Sequence, residues 1–280
     1  MKTISIKQFF QISRPISFVF LLISFIVAIL FSTNIFAVKL IHLIEITMLT
    51  LLLPFFVFSI NDLYDYSTDK INLRKHSAWQ GQFIKNLKDY KKSILITELI
   101  IFTVIVGYSL IFNNLVHTLL LVLLLFLGFF YSVKPIRFKE IPFLDSLSNG
   151  IIVFLTFASI FVLFNSLYSI PIAIIGVSIS TLSYHLLAAE MDLVADKRSG
   201  QKTTATLLKS RLLIHLICIV YNIPLLFIHF NSVFKYLFYV NLIFIIYNYF
   251  SKDITKKQIF FLFTIIWVLV FLIYIFSKLF

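Results

Sequence analysis

The stretch Asn61-Asp62-Leu63-Tyr64-Asp65-Tyr66-Ser67-Thr68-Asp69 sets three carboxylates where a long apolar run, from about Ile41 to Ile60, meets a polar loop. Continued as a helix at about 100° per residue, it puts Asp62, Asp65 and Asp69 within roughly 60° of one face. Carboxylates crowded so closely repel each other unless a positive charge sits between them. A hard divalent cation with oxygen ligands, Mg²⁺ above all, is the natural neutraliser, and it keeps positions open for substrate phosphates. A second cluster, Asp192-Leu193-Val194-Ala195-Asp196, follows another apolar run, and its two aspartates are an i, i+4 pair on one face. Together the clusters hold five of the twelve acidic residues. One acid at a membrane boundary is a solvated helix end; two such patterns together read as a site.

Other residues narrow the chemistry. Lys134, Arg137 and Lys139 lie in a loop with Pro135 and Pro142, which keep it from being helical throughout. With acids nearby, these cations suit an Mg²⁺-bound diphosphate, whose charge needs both metal and Arg/Lys partners. The histidines show no metal-ligand spacing, and no P-loop or GxGxxG is present, against nucleotide hydrolysis and Rossmann cofactors. His185, about two turns before Asp192, reads as a packing residue able to line the same cavity. Most of the 34 Phe and 13 Tyr face lipid or other helices; Tyr64, Tyr66, Tyr131 and Tyr184 stand near enough to the clusters to stabilise a cation with their ring faces. An Mg²⁺-diphosphate site at the mouth of an apolar cavity points to ionising an allylic diphosphate beside a lipophilic acceptor.

The elements that position these residues are membrane helices. Apolar usage of 60% with 13% charge is far from that of a soluble globule. Nine apolar runs, at about 15–32, 41–61, 92–112, 115–131, 145–164, 168–190, 211–229, 233–250 and 259–279, have roughly the length that crosses about 30 Å of hydrocarbon. The expected architecture is all-α, a polytopic membrane domain over 1–280 without a linker or low-complexity segment. Its first run is too long for a signal peptide, lacks a clear A-x-A site and is followed by eight more. Cys218 lies alone inside a span, so no intrachain disulfide forms.

The net charge of +12 records topology rather than nucleic acid: 21 of the 24 Lys and Arg lie at the N-terminus and in alternate loops. That places the N-terminus, both aspartate clusters and the loop at 132–144 in the cytoplasm, with Lys39, Lys235 and Lys278 elsewhere. Both clusters end spans of the same direction, four spans apart, as two similar halves in parallel would. The polar segment from Asp62 to Lys91 is long enough for a short helix capping the site.

These residues resemble the UbiA superfamily of intramembrane prenyltransferases, whose two motifs are similar to Asn61-Asp62-x-x-Asp65-x-x-x-Asp69 and Asp192-x-x-x-Asp196. The resemblance covers most of the chain and implies a nine-helix bundle with a cytoplasmic-side cap. It implies that Asp62, Asp65, Asp69, Asp192 and Asp196 bind Mg²⁺-diphosphate, with Asp65, Asp192 and Asp196 catalytic. Asn61 and Asn72 would support the first motif, and Arg74, Lys134 and Lys197 would bind phosphate oxygens, joining Arg137. The segment after Asp69 reads Asn72-Leu73-Arg74-Lys75-His76, without the Arg-Pro-Leu-x-x-Gly-like stretch of members that act on aromatic acids. It is similar instead to the lycopene elongase branch. So are Tyr131-Ser132, Pro135-x-Arg137-Phe138-Lys139, Pro142-x-x-Asp145-Ser146-Leu147-Ser148-Asn149-Gly150, His185-Leu186-Leu187-Ala188-Ala189 and Lys202-Thr203-Thr204-Ala205-Thr206. Met191 departs from that branch, which often has proline there.

The expected reaction moves an isoprenyl group, dimethylallyl for choice, from its diphosphate to a carotenoid such as lycopene. A quinone precursor or a glycerol-phosphate lipid is the alternative acceptor. His185, Glu190 or a carboxylate near the diphosphate would take the final proton. A cation-coupled transporter is the rival from another class, but transporters tend to place ionisable residues near the midplane on broken helices. Single-cysteine variants at Ser67 and Ser199 test the topology in intact cells. Both are expected to resist a membrane-impermeant thiol reagent from outside; labelling of either would overturn the orientation.

Overall fold

Backbone groups inside a bilayer have no water to bond to, so a hydrocarbon-length apolar run folds as a helix, bonded within its own segment. The computed structural model describes residues 2–33, 37–71, 87–228, 232–251 and 253–279, which are helical with turns and short connections and carry no strand. In chain order the helices are α1 (Ile6–Ser13), α2 (Pro15–Ser32), α3 (Leu40–Tyr64), α4 (Tyr66–Ile71), α5 (Lys91–Phe112) and α6 (Leu115–Ser132). Then follow α7 (Leu144–Phe161), α8 (Ile172–Ser199), α9 (Thr204–Leu208), α10 (Arg211–Phe227), α11 (Ser232–Phe250) and α12 (Asp253–Leu279). Among the described residues, eight of these are long and apolar enough to cross a membrane: α2, α3, α5, α6, α7, α8, α11 and α12. The seventh predicted span corresponds to α10, whose 17 residues are about 25 Å long, the lower limit of a crossing.

Two helix ends differ from expectation. The 28 residues of α8 extend about 42 Å, longer than a hydrocarbon core of about 30 Å, and Asp192 and Asp196 lie in its last two turns. The short α1 was not expected, although Ser5-x-x-Gln8 is a capping box: Gln8 N–H donates to Ser5 Oγ (3.3 Å) and Ser5 N–H to Gln8 Oε1 (3.0 Å). Arg14 joins α1 to α2 with φ of 55°, a left-handed backbone unusual for a side-chain-bearing residue. Pro15 then opens α2 at the position that needs no amide hydrogen.

The chain divides into two compact units, Met1–Phe138 with Ala158–Leu167, and Lys139–Phe157 with Tyr168–Phe280. In the first, α3 is the central helix and packs against α1, α2, α5 and α6. Its far end buries Glu45 completely, which in an apolar bundle demands partners. His117 supplies one through Nε2 at 2.7 Å, and Asn113 donates to the other oxygen at 2.5 Å. The other nitrogen of His117 lies 2.7 Å from the Ser159 carbonyl, which can only accept, so that nitrogen is the donor. In the second unit α10 lies between α8 and α11. Asn222 stitches them together, donating to Ser183 Oγ (2.6 Å) and accepting from Ser180 Oγ (3.1 Å) and Asn241 Nδ2 (2.5 Å). Gly150 lets α7 approach α8: a Cβ there would stand 2.5 Å from Leu182 Cδ2.

Removing one member of a buried acid–base pair strands the other. His117→Ala is expected to cost about 3 kcal/mol, and the double variant with Glu45→Ala less than the sum of the singles. Unfolding titrations in mixed micelles read both; additive losses would show that the two residues act independently.

Candidate active site

The first aspartate motif sits where α3 ends. The expected unbroken helix is interrupted at Asp65, whose φ of −95° and ψ of 3° put it in the bridge region. Helical bonding nevertheless carries across the joint, from Asp65 N to Asn61 O (2.9 Å) and from Asp69 N to Asp65 O (2.8 Å). Asp65 and Asp69 are buried and Asp62 is half-buried.

Such carboxylates need cations, and two arginines of the same unit supply them. Arg14 Nη2 donates to Asp62 Oδ1 at 2.7 Å, with its guanidinium 4.0 Å from the centre of the Phe58 ring. Arg137 Nη2 donates to Asp65 Oδ1 at 3.3 Å. Arg137 is delivered by the end of α6: Asn61 Nδ2 donates to Ser132 Oγ at 3.1 Å, anchoring the helix that the loop leaves. One turn along, Arg137 meets Asp65 with φ of 48°, so both arginines sit in left-handed backbone. Strain of this kind costs about 1–3 kcal/mol and persists only where surrounding contacts over-determine it.

The second motif, in the other unit, lies in the last two turns of α8. Asp196 is buried and Asp192 half-buried, while Lys197 is exposed. Thr203 Oγ1 reaches Asp196 Oδ2 at 3.5 Å. Gly200, with φ of 74°, ends α8 in the left-handed conformation that glycine alone adopts without cost, and Gln201 N closes the cap onto Asp196 O at 3.0 Å.

Other expected residues have these surroundings. Glu190, 200° round the helix from Asp192 at about 100° per residue, faces Arg211, with Oε1 3.5 Å from its Nε. Tyr184 donates to or accepts from Thr264 Oγ1 at 2.9 Å and stacks on Phe263, inside the apolar core of its unit. His185 Nδ1 lies 3.4 Å from Ser146 Oγ, at the first turn of α7. Lys134 is exposed, and Lys139 is buried. Tyr66 lies under Lys88, with Nζ 5.1 Å from its ring centre. Asn72 and Arg74 lie outside the described residues.

Whether these residues fit Mg²⁺ turns on donor type and number. The motif side chains offer hard carboxylate oxygens, and among the described residues no three Asp, Glu, His or Cys side chains gather into a complete metal site. Mg²⁺ is commonly held through one or two carboxylates plus phosphate oxygens and water, so the donor set fits. The guanidinium of Arg14 also buries its Nε with no hydrogen-bond partner among the described residues, a donor suited to one more anionic oxygen. In the sequence, Arg14 stands only among the basic residues that precede the first span. Its sole local signal is Arg14-Pro15 at the mouth of the first span.

The described residues thus form membrane helices, with carboxylate–guanidinium pairs at the end of α3. The chain matches the UbiA prenyltransferase family over residues 17–269 and belongs to it. With its long apolar helices it is a multi-pass membrane protein of that family. It is 28% identical over 159 residues to a lycopene elongase/hydratase of Haloarcula japonica, covering 55% of this chain and 50% of that protein. A lycopene elongase/hydratase of Haloferax volcanii is 27% identical over 159 residues, covering 56% and 49%. The matched region thus spans about half the length of these curated relatives. The solved UbiA homologue of Archaeoglobus fulgidus bound to DMAPP and Mg²⁺ superposes with a TM-score of 0.71 at 19% identity, covering 96% of this chain and 98% of that one.

Proposed function

We propose that the chain acts as a single domain of nine membrane helices that transfers a dimethylallyl group from its diphosphate to a carotenoid such as lycopene. What carries the reading is the alternation at the end of α3, where Asp62 meets Arg14 and Asp65 meets Arg137. Carboxylates for a metal and guanidinium groups for phosphate oxygens stand there side by side, the two charge types a diphosphate leaving group needs together. Asp62, Asp65, Asp69, Asp192 and Asp196 would hold Mg²⁺. Bound, the ion would offset the negative charge that grows on the diphosphate as the allylic C–O bond breaks.

The chain's own residues do the rest. Arg14, Arg137, Lys134 and Lys197, with Arg74, bind phosphate oxygens, and Asn61 and Asn72 support the first motif. Apolar helices keep water from the allylic cation until the acceptor alkene attacks it. The new C–C bond leaves a tertiary cation, which loses a proton to a base or takes up water. The acceptor assignment rests on the names of the curated relatives and on the residues after Asp69, which lack the basic stretch of aromatic-acid members. An alkene has no acidic group for such a stretch to orient. The distribution of basic residues supports both motifs lying on the cytoplasmic face of the cell membrane; the expected cap falls largely outside the described residues.

Two measurements check this. Prenyl transfer by purified protein is expected to stop in excess EDTA and return with Mg²⁺, and Asp65→Asn or Asp192→Asn is expected to lower it about a hundredfold or more without unfolding. Full turnover under either condition would overturn the metal site. Offered dimethylallyl diphosphate with lycopene, 4-hydroxybenzoate or geranylgeranylglyceryl phosphate, the protein is expected to elongate lycopene alone. Prenylation of a polar acceptor without an elongated carotenoid would overturn the acceptor and leave the metal site standing.

A further inference from the structure

We propose that Asp145 is a positioning residue for the second aspartate motif, holding Asp196 in register through Thr203 and Thr204. The inference rests on the Mg²⁺-diphosphate reading above and adds to it a residue outside both motifs. Asp145 stands in the first turn of α7 and is 1% exposed. A carboxylate buried so far from water must collect donors, and three converge on it. Thr204 N–H reaches Oδ2 at 2.7 Å; Thr204 Oγ1 and Ser146 N–H reach Oδ1 at 2.5 and 2.8 Å. The Thr204 hydroxyl in turn accepts from Phe143 N–H at 2.6 Å, at a residue whose φ of 69° is left-handed. Backbone and side chain of Thr204 are therefore both held by the start of α7.

Thr204 opens α9, which at 5 residues is far too short to hold its own shape. Its place is set by what grips its first turn: Asp145 from outside, and the reciprocal Thr203–Thr206 box, with Thr203 N–H on Thr206 Oγ1 at 2.8 Å. Thr203, once placed, turns its hydroxyl to Asp196 Oδ2 at 3.5 Å. The backbone of Asp196 is tied to the same segment, accepting from Gln201 N–H (3.0 Å) and Ser199 Oγ (3.1 Å). The path from Asp145 to Asp196 thus runs through hydrogen bonds and the Thr203–Thr204 peptide link, all within one unit. A buried outer carboxylate that orients a metal-binding one typically accounts for tenfold to a hundredfold, roughly, in metal affinity.

The test uses purified full-length protein and Mn²⁺ with inorganic diphosphate, binding being followed by electron paramagnetic resonance. Asp145→Asn keeps the size but turns one acceptor into a donor, and it is expected to weaken Mn²⁺ binding about tenfold or more. Thr204→Val is expected to weaken it in the same direction, and decides the matter should Asp145→Asn not fold. Asn222→Ala, which breaks the buried network between α8, α10 and α11, is expected to lower thermal stability and leave Mn²⁺ affinity unchanged. Wild-type affinity in Asp145→Asn or Thr204→Val, or an equal loss in Asn222→Ala, would overturn the positioning role while the metal reading stands. Failure of the unaltered protein to bind Mn²⁺ with diphosphate would overturn both.

Discussion

An ionised carboxylate at the edge of a hydrocarbon layer must be matched by cations or by several hydrogen-bond donors, and this requirement organises the polar parts of the structure. Where the effective dielectric constant is low, an unmatched charge costs several kcal/mol or more, a large share of what holds a domain together. Four acids of the two units show such matching. Asp62 has Arg14, Asp65 has Arg137, Asp145 has Thr204 and Ser146, and Glu45 has His117 and Asn113.

The acids nevertheless divide by what kind of partner meets them. Glu45 and Asp145 are enclosed by donors drawn from neighbouring helix ends, an arrangement that fixes geometry. Asp62 and Asp65 are met by guanidinium groups, which can also bind phosphate oxygens. Both arginines occupy left-handed backbone, and in each case a proline neighbours them or opens their loop, Pro15 after Arg14 and Pro135 before Arg137. A long flexible cation in a rigid, strained turn loses less entropy on meeting an anion than one on a mobile tail.

Much of this was legible along the chain. Among the described residues, eight of the nine predicted spans recur as helices long and apolar enough to cross a membrane, because hydrocarbon length and the need for internal backbone bonding leave no other form. In the first motif the helix is interrupted at Asp65, though backbone hydrogen bonds bridge the joint. Proximity in sequence did not show which neighbours these residues meet. Tyr184 lies within two turns or so of Asp192 yet packs into an aromatic core with Phe263, and Glu190 turns away to Arg211. Local spacing sets a direction round a helix and leaves open which neighbour lies there.

The sequence by itself therefore determined the membrane-spanning class, the positions of the helices and the acidic motifs, all properties of contiguous segments governed by hydropathy and helical period. Only the tertiary structure decided which cation meets which carboxylate. Arg14 and Asp62 are 48 residues apart, Arg137 and Asp65 72, and Thr204 and Asp145 59. Such pairs depend on how helix ends are brought together by packing of their apolar faces, and lipid-facing and helix-facing stripes are equally apolar in a membrane protein. With no polar stripe to mark the outside, a chain of this kind shows where its helices lie and conceals which of them touch.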